Sequence, residues 1–310
     1  MPALVPANMH DIFVGFKTAY DGAFMGTPST YQTIAMDVAS TAREEKYPFM
    51  NSVPTFRQWV GDRAVAGLKL HGFAIENEHF ESTISVSADD IADDRYGVFA
   101  PSFAMMGQNA KQHPDKLVYA LLALGKTTRC YDGANFFDLN HVITGEGSVQ
   151  TTVSNYQAGT GPTWYLIDTS KPVKPMVFQT RKPYTFVPFV RPDDQSVFWR
   201  NEFIYGVDAR VAAGFALWQL AFASDAALTH DNYAAARAAM IAIVKENGDK
   251  MGVVPTHLVV PASLEGAARQ VAKNELIVTT VNVGTPPVPQ SVAVSNEWAG
   301  SVEVLMTPWL

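Results

Sequence analysis

Between Phe198 and Phe222 the chain reads FWRNEFIYGVDARVAAGFALWQLAF, and this run restricts the available folds more than any other segment. Aromatic and β-branched residues suit a pleated, packed surface. They predict two strands, one through Phe198, Trp199, Phe203, Ile204, Tyr205 and Val207, the other through Phe215, Leu217, Trp218, Leu220 and Phe222. Gly206 and Gly214 punctuate the pair where the backbone bends or approaches a neighbour. Only Arg200, Glu202, Asp208 and Arg210 carry charge, so this is a sheet made to be covered.

At 310 residues the chain can bury a large core, and about 150 residues per domain suggests two domains. Charged residues make up 17%, below the ~25% of an ordinary soluble domain, which favours a surface covered by other chains over the other source of such a number, a large enzyme core. The net charge of −7, from 23 basic and 30 acidic residues, comes without a Lys/Arg cluster and argues against a sequence-reading nucleic-acid protein. Cys130 is the single cysteine, so an intramolecular disulfide is excluded and a reducing cytosol is the natural setting for assembly. No secretory leader pattern follows Met1, and the longest apolar stretches, such as Leu117–Leu124, fall short of the ~20 residues of a membrane helix. A soluble protein without membrane partners is expected.

Ile12, Phe13, Phe16, Tyr20 and Phe24 recur at helical spacing, giving one short amphipathic helix in an otherwise thinly structured arm. Residues 54–87 read as a long hairpin, whose return limb HFESTISVS alternates Phe80, Ile84 and Val86 against Glu81, Thr83, Ser85 and Ser87. A helix then starts at Ser87 with Asp89, Asp90, Asp93 and Asp94 at its positive end. Phe99, Phe103, Met106 and Ala110 give its apolar stripe, resumed by Leu117, Leu121 and Leu124, with a kink at Pro101 and a break or restart at His113-Pro114. About 36 residues at ~1.5 Å each predict a rod of roughly 54 Å. Strands follow in WYLID and PMVFQ. A compact α/β section then has a helix lined by Tyr233, Arg237, Met240, Ile241 and Val244 and ended by Gly248, a strand at His257–Val260, a helix from Ala262 to Lys273 and a strand at Glu275–Val281. Pro286, Pro287 and Pro289 mark a stiff loop, and Val302–Met306 a closing strand.

No catalytic constellation stands out. Cys130 and His141 form a nucleophile–base pair on paper, but a loop separates them and no third orienting group is evident. The seven histidines, including His71 and His79, are scattered without metal-ligand spacing. The glycine-rich Gly145–Gly147 and Ala158–Pro162 read as turns rather than phosphate cradles. Without interleaved basic residues, Trp59, Trp164, Trp199, Trp218, Trp298 and Trp309 read as core or interface anchors. The expectation is a protein with no catalytic residue, no metal ligand and no cofactor.

The run Phe198–Phe222, together with VSNYQAGTGPTWYLID (Val153–Asp168), CYDGANFFDLNH (Cys130–His141), YAAARAAM (Tyr233–Met240), VVPASLEGAAR (Val259–Arg269) and the final TPWL, closely resembles the major head subunit family of Mu-like tailed phages. The resemblance spans essentially the whole chain and is weakest over Val281–Gln290. It implies an α+β protein of the Hong Kong 97-type capsid fold, with an N-terminal arm (1–50) and an extended hairpin, the E-loop (51–86). A peripheral domain with spine helix and sheet (87–224), an axial α/β domain (225–290) and a C-terminal strand (291–310) would follow. It implies a structural protein that self-assembles into hexamers and pentamers of an icosahedral head in the host cytoplasm. Its implied partners are a separate scaffold, a maturation protease and a portal protein, around double-stranded DNA held without sequence-specific contacts. In that fold the E-loop lies across a neighbouring subunit, so Arg57, Arg63 and Lys69 are expected to meet a neighbour's Asp89, Asp90, Asp93 and Asp94, with Trp59 on the apolar face that supplies most of the contact. The rival readings are an encapsulin-like compartment shell and, from another class, a cysteine hydrolase using Cys130 and His141.

Overall fold

The computed structural model describes residues 6–47, 74–93, 96–144, 150–191, 193–244, 250–283 and 288–310. Helix α1 (Pro6–Gly26) leads to the one-turn α2 (Tyr31–Ile34), β1 (Ala35–Ala39) and β2 (Glu44–Lys46). After residue 73 come β3 (Ala74–Glu76), β4 (Glu78–Ser87), the short α3 (Ala88–Ala92) and the long α4 (Ala100–Ala123). Next are β5 (His141–Thr144), β6 (Gln150–Val153), β7 (Tyr156–Gln157), β8 (Trp164–Ile167) and β9 (Met176–Phe189). They are followed by α5 (Gln195–Arg200), β10 (Glu202–Phe215) and β11 (Ala221–Ser224). The order closes with α6 (His230–Ile241), β12 (His257–Pro261), α7 (Glu265–Ala272), β13 (Leu276–Val283), β14 (Val288–Ser295) and β15 (Glu303–Thr307).

Strand β10 sits inside the first sheet, ordered β1-β9-β10-β4, antiparallel to both of its neighbours, while β1 joins β9 in parallel. Its alternation buries Phe203, Tyr205, Val207, Ala209 and Val211 on one face. Helices α1 and α4 cover that face. Phe16 stacks on Phe103 at 4.2 Å, both rings meet Tyr205 edge-on at 5.3 and 5.1 Å, and Tyr20 stacks on Phe186 at 5.0 Å. The N-terminal arm is thus more than one short helix. The 21 residues of α1 complete its own subunit's core because Phe16 and Tyr20, each 3% exposed, have nowhere better to go.

The expected single rod is two helices. Ser87 Oγ accepts from the Asp89 amide and starts α3, which stops at Ala92, and α4 begins afresh at Ala100. Pro101 falls in the first turn of α4, where its missing N–H costs nothing, so it makes no kink. Pro114 lies inside a continuous α4 rather than breaking it. The buried stripe accordingly runs Phe103, Met106, Ala110, Pro114, Val118, Leu122, and Leu124 is exposed. At 24 residues α4 is about 36 Å long.

The part of the predicted hairpin that is described lies in its own subunit. Strand β4 pairs with β10 in ten consecutive registers, from Glu202↔Ser87 to Val211↔Glu78, and Val86 is buried beneath α3 and α1. This corrects, for residues 74–87, the expectation that the hairpin lies across a neighbouring subunit rather than in its own. The base is a polar knot. Strand β2 pairs with β3, Asn77 Nδ2 donates to Ser40 Oγ and Ala42 O, and Gln179 bridges Asn77 and Tyr47.

A second sheet, β15-β12-β8-β11-β7, carries the largest core, closed by α6, α7 and the end of α4. Strand β8 is buried at all four positions, as its WYLI composition requires. Two readings of the sequence change here. Phe198 and Trp199 belong to helix α5, not to a strand. Pro289 belongs to β14, which forms an antiparallel hairpin with β13 rather than a loop. Helix α6 ends at Ile241, and Gly248 lies outside the described residues.

One packing contact has no slack. A Cβ on Gly107 of α4 would overlap the backbone carbonyl of Tyr20 in α1, and a carbonyl in a helix cannot swing aside. Gly107→Val is expected to destabilise the subunit by about 1–3 kcal/mol in urea unfolding; an unchanged midpoint would show that the two helices can separate freely.

Candidate functional site

The loop after α4 brings together residues that the sequence kept apart. Asp132 accepts from the Cys130 thiol at 3.0 Å and from the Ala134 amide at 3.0 Å through Oδ1, and it meets His141 Nδ1 at 2.6 Å through Oδ2. The other ring nitrogen of His141 lies 3.1 Å from Asn155 Oδ1, and the ring stacks on Trp218 at 3.8 Å. Asn155 is fixed in this orientation because its Nδ2 donates to the carbonyls of Phe136, Trp218 and Ala221. An orienting group for the Cys–His pair therefore does exist. The signal for Asp132 was its place inside the CYDGANFFDLNH phrase, and Asn155 lies in another such phrase, VSNYQ.

The arrangement does not make a nucleophile. The thiol gives its hydrogen bond to a carboxylate, not to the imidazole, and burial, with Asp132 beside it, pushes the Cys130 thiol far up. A thiolate is thus disfavoured at the one place a hydrolase would need it. Nor does the geometry suit a metal. Cys130, Asp132 and His141 place donor atoms within 4.8 Å of one another. Two ligands of one tetrahedral zinc sit about 3.3 Å apart, whereas the 2.6 Å between Asp132 and His141 is the distance of a direct hydrogen bond. The cluster is a structural clasp joining the loop to β5, β6 and the turn before β11.

A second clasp centres on Asp225. Its carboxylate takes Lys126 Nζ at 2.9 Å, Thr163 Oγ1 at 2.5 Å and Tyr156 OH at 2.6 Å, and its backbone carbonyl accepts from Gly161 N at 2.8 Å. The AGTGP segment is the turn it holds. Burial alone would raise the pKa values of Asp132 and Asp225, yet the hydrogen bonds they receive outweigh it and hold both below the ordinary carboxylate value.

Of the residues expected at subunit contacts, Arg57, Trp59, Arg63, Lys69 and Asp94 lie outside the described residues. Asp89 and Asp93 are exposed at the end of β4, with Asp90 half-buried between them. Asn201, in the left-handed conformation at φ 53°, caps α5, and its Nδ2 donates to Asp89 Oδ1 at 3.0 Å. This contact sets the acidic tip beside α5, whose Phe198 and Trp199 are 71% and 77% exposed and pack edge-to-face at 5.0 Å. The sequence reading placed these aromatics inside a sheet and so missed the exposed pair. His79 lies on β4, and His71, Gly145 and Gly147 fall outside the described residues.

Two packed sheets, a long helix across the first of them and a hairpin base rooted in that sheet make up the architecture of a Hong Kong 97-type phage capsid subunit. The procapsid subunit of bacteriophage JBD30 is 35% identical and superposes with a TM-score of 0.82 over 99% of this chain and all of its own. The JBD30 capsid decorated with minor capsid protein trimers gives 0.73 at 27% identity over 92% and 91% of the two chains. The major capsid protein of Escherichia phage Mu is 36% identical across 99% of each chain. The family model described as Mu-like prophage major head subunit gpT matches residues 9–310, and the chain belongs to that family. It is a structural protein of the virion head shell, which sets the encapsulin-like alternative aside. No helix among the described residues is long and apolar enough to cross a membrane.

Two readouts check the Cys130–Asp132–His141 clasp. Native Cys130 should resist thiol reagents until the chain is unfolded, and Cys130→Ser, which keeps a donor to Asp132, should still assemble; rapid native labelling would refute the buried clasp. Because the folded carboxyls of Asp132 and Asp225 lie below their unfolded value near 4, their contribution is complete above that pH. It should be lost as pH falls through the lower folded values, and an acid-unfolding curve unchanged in Asp132→Asn would exclude Asp132 from that loss.

Proposed function

We propose that the acidic tip of α3 and the aromatic pair of α5 form the seat on which a neighbouring copy's hairpin arm rests in the assembled head. The observation that carries this reading is the pair of hydrogen bonds that ties Asn201, the cap of the helix bearing exposed Phe198 and Trp199, to Ala88 and Asp89 at the acidic start of α3. A seat that is both acidic and aromatic suits an arm offering both Arg57, Arg63 and Lys69 and the indole of Trp59. Residues 48–73 depart from β2 and return to β3 at paired positions. Twenty-six residues going out and back can reach at most about 45 Å, enough to cross onto another subunit. Exposed ion pairs contribute only about 0–1 kcal/mol each, so the aromatic contact carries most of the energy.

In this reading hexamers and pentamers of the chain close the icosahedral shell in the host cytoplasm, with a separate scaffold, a maturation protease and a portal protein. Minor capsid protein trimers decorate it, as the JBD30 capsid is decorated. The net charge of −7 suits a wall that encloses double-stranded DNA without reading it.

Trp199→Ala should leave the subunit's melting temperature unchanged, since the side chain is 77% exposed, and should raise the concentration needed for assembly about tenfold or more. Normal assembly of that variant would remove α5 from the seat. Titrations against duplexes of different sequence should give equal, weak and salt-sensitive binding; a preferred sequence at physiological salt would contradict the enclosing role.

A further inference from the structure

Strands β13 and β14 form a two-stranded sheet that no other described strand joins. None of their described side chains enters any of the four core clusters, and Leu276, Val278 and Val292 are 61%, 75% and 40% exposed. A lone two-stranded hairpin is marginal in water, and an apolar one needs a covering surface. From Leu276 to Ser295 the sequence contains no Asp, Glu, Lys, Arg or His. Strand β13 also lacks proline, so neither charge nor proline guards its free edge against pairing.

We infer that the β13–β14 hairpin is an intersubunit clasp, covered in the assembled shell by a second copy of this chain. The inference rests on the shell-building role proposed above. Charge selects the occupant: copies carrying −7 each repel one another, and two strands without a charged residue meet their own kind at no like-charge cost. Nucleic acid would require basic residues here, and the segment has none. Size selects the setting. Eight residues per strand give a face of about 26 Å by about 10 Å, well under the ~800 Å² per partner of a free-standing complex. Such a contact holds only when each subunit makes it together with others, as in a closed wall, and the isolated subunit stays monomeric.

The test places a single accessible thiol on the hairpin. In Val278→Cys, native Cys130 is buried and contributes only a slow background. A maleimide should modify position 278 at the rate of a free thiol in the dissociated subunit, and at least tenfold more slowly in shells whose only coat protein is this chain. Equal rates in the two states would overturn the clasp. So would protection that appears only after a decorating protein is added, because the occupant would then not be a copy. Val278→Lys should fold with an unchanged melting temperature and fail to close shells, and normal shells from that variant would also refute the inference. If the unmodified chain formed no shells at all, the shell-building reading would fall together with this one; open thiols on well-formed shells would sink this one alone.

Discussion

Strand β10 commits fourteen residues of backbone hydrogen-bonding groups to partners drawn from distant parts of the sequence. One edge takes β9 and the other takes β4, more than a hundred residues earlier in the chain. A buried amide left without a partner costs on the order of 1–3 kcal/mol, so neither neighbour can leave singly. The strand then runs on through Ala216, Leu217 and Leu220 into β11, which lies inside the second sheet. The two sheets are therefore joined through a buried, apolar length of backbone rather than an exposed linker. The absence of charge from Val211 to Phe222 follows from that position.

The remaining polar residues inside the subunit act as fasteners. Asp132, Asn155 and Asp225 each gather several donors or carbonyls from loops that have no regular ladder of their own. Loops this long would otherwise leave backbone groups buried without partners. The same chemistry that makes Cys130 and His141 look reactive on paper makes them inert here, since both spend their protons on one carboxylate.

How far the sequence predicts the structure depends on whether a segment is half-buried or wholly exposed. HFESTISVS alternated because one face of β4 meets α1 and α4 and the other meets solvent, and its alternation is reproduced in the structure. Strands β8, β12 and β15 were equally plain, being short apolar runs. Phe198 and Trp199 misled because aromatic residues favour strands on average, and what decides their state is local. Asp194 Oδ2 accepts from the Arg191 amide before the helix, and Asn201 terminates it in a left-handed turn. Prolines hid β14, and treating Pro114 as a break hid the continuation of the α4 stripe to Val118 and Leu122. The Asp132 and Asp225 clasps were invisible because their partners lie between 2 and 99 residues away, with no fixed period. Family resemblance, by contrast, was carried by whole phrases and identified the capsid role directly.

The knot at Asn77 gives the subunit a fulcrum. The chain leaves for residues 48–73 and comes back at the same spot, where β2, β3, Asn77 and Gln179 are hydrogen-bonded to one another. Any pull on that excursion from elsewhere in a shell is delivered to this point, across the hydrogen-bonded registers of β9 and β10, rather than peeling a free end. Load of that kind is shared by many short bonds at once, which resist shear far better than they resist unzipping. Tension on that excursion would then enter the first sheet through Gln179 on β9 and reach the second only afterwards, along the backbone that runs from β10 into β11.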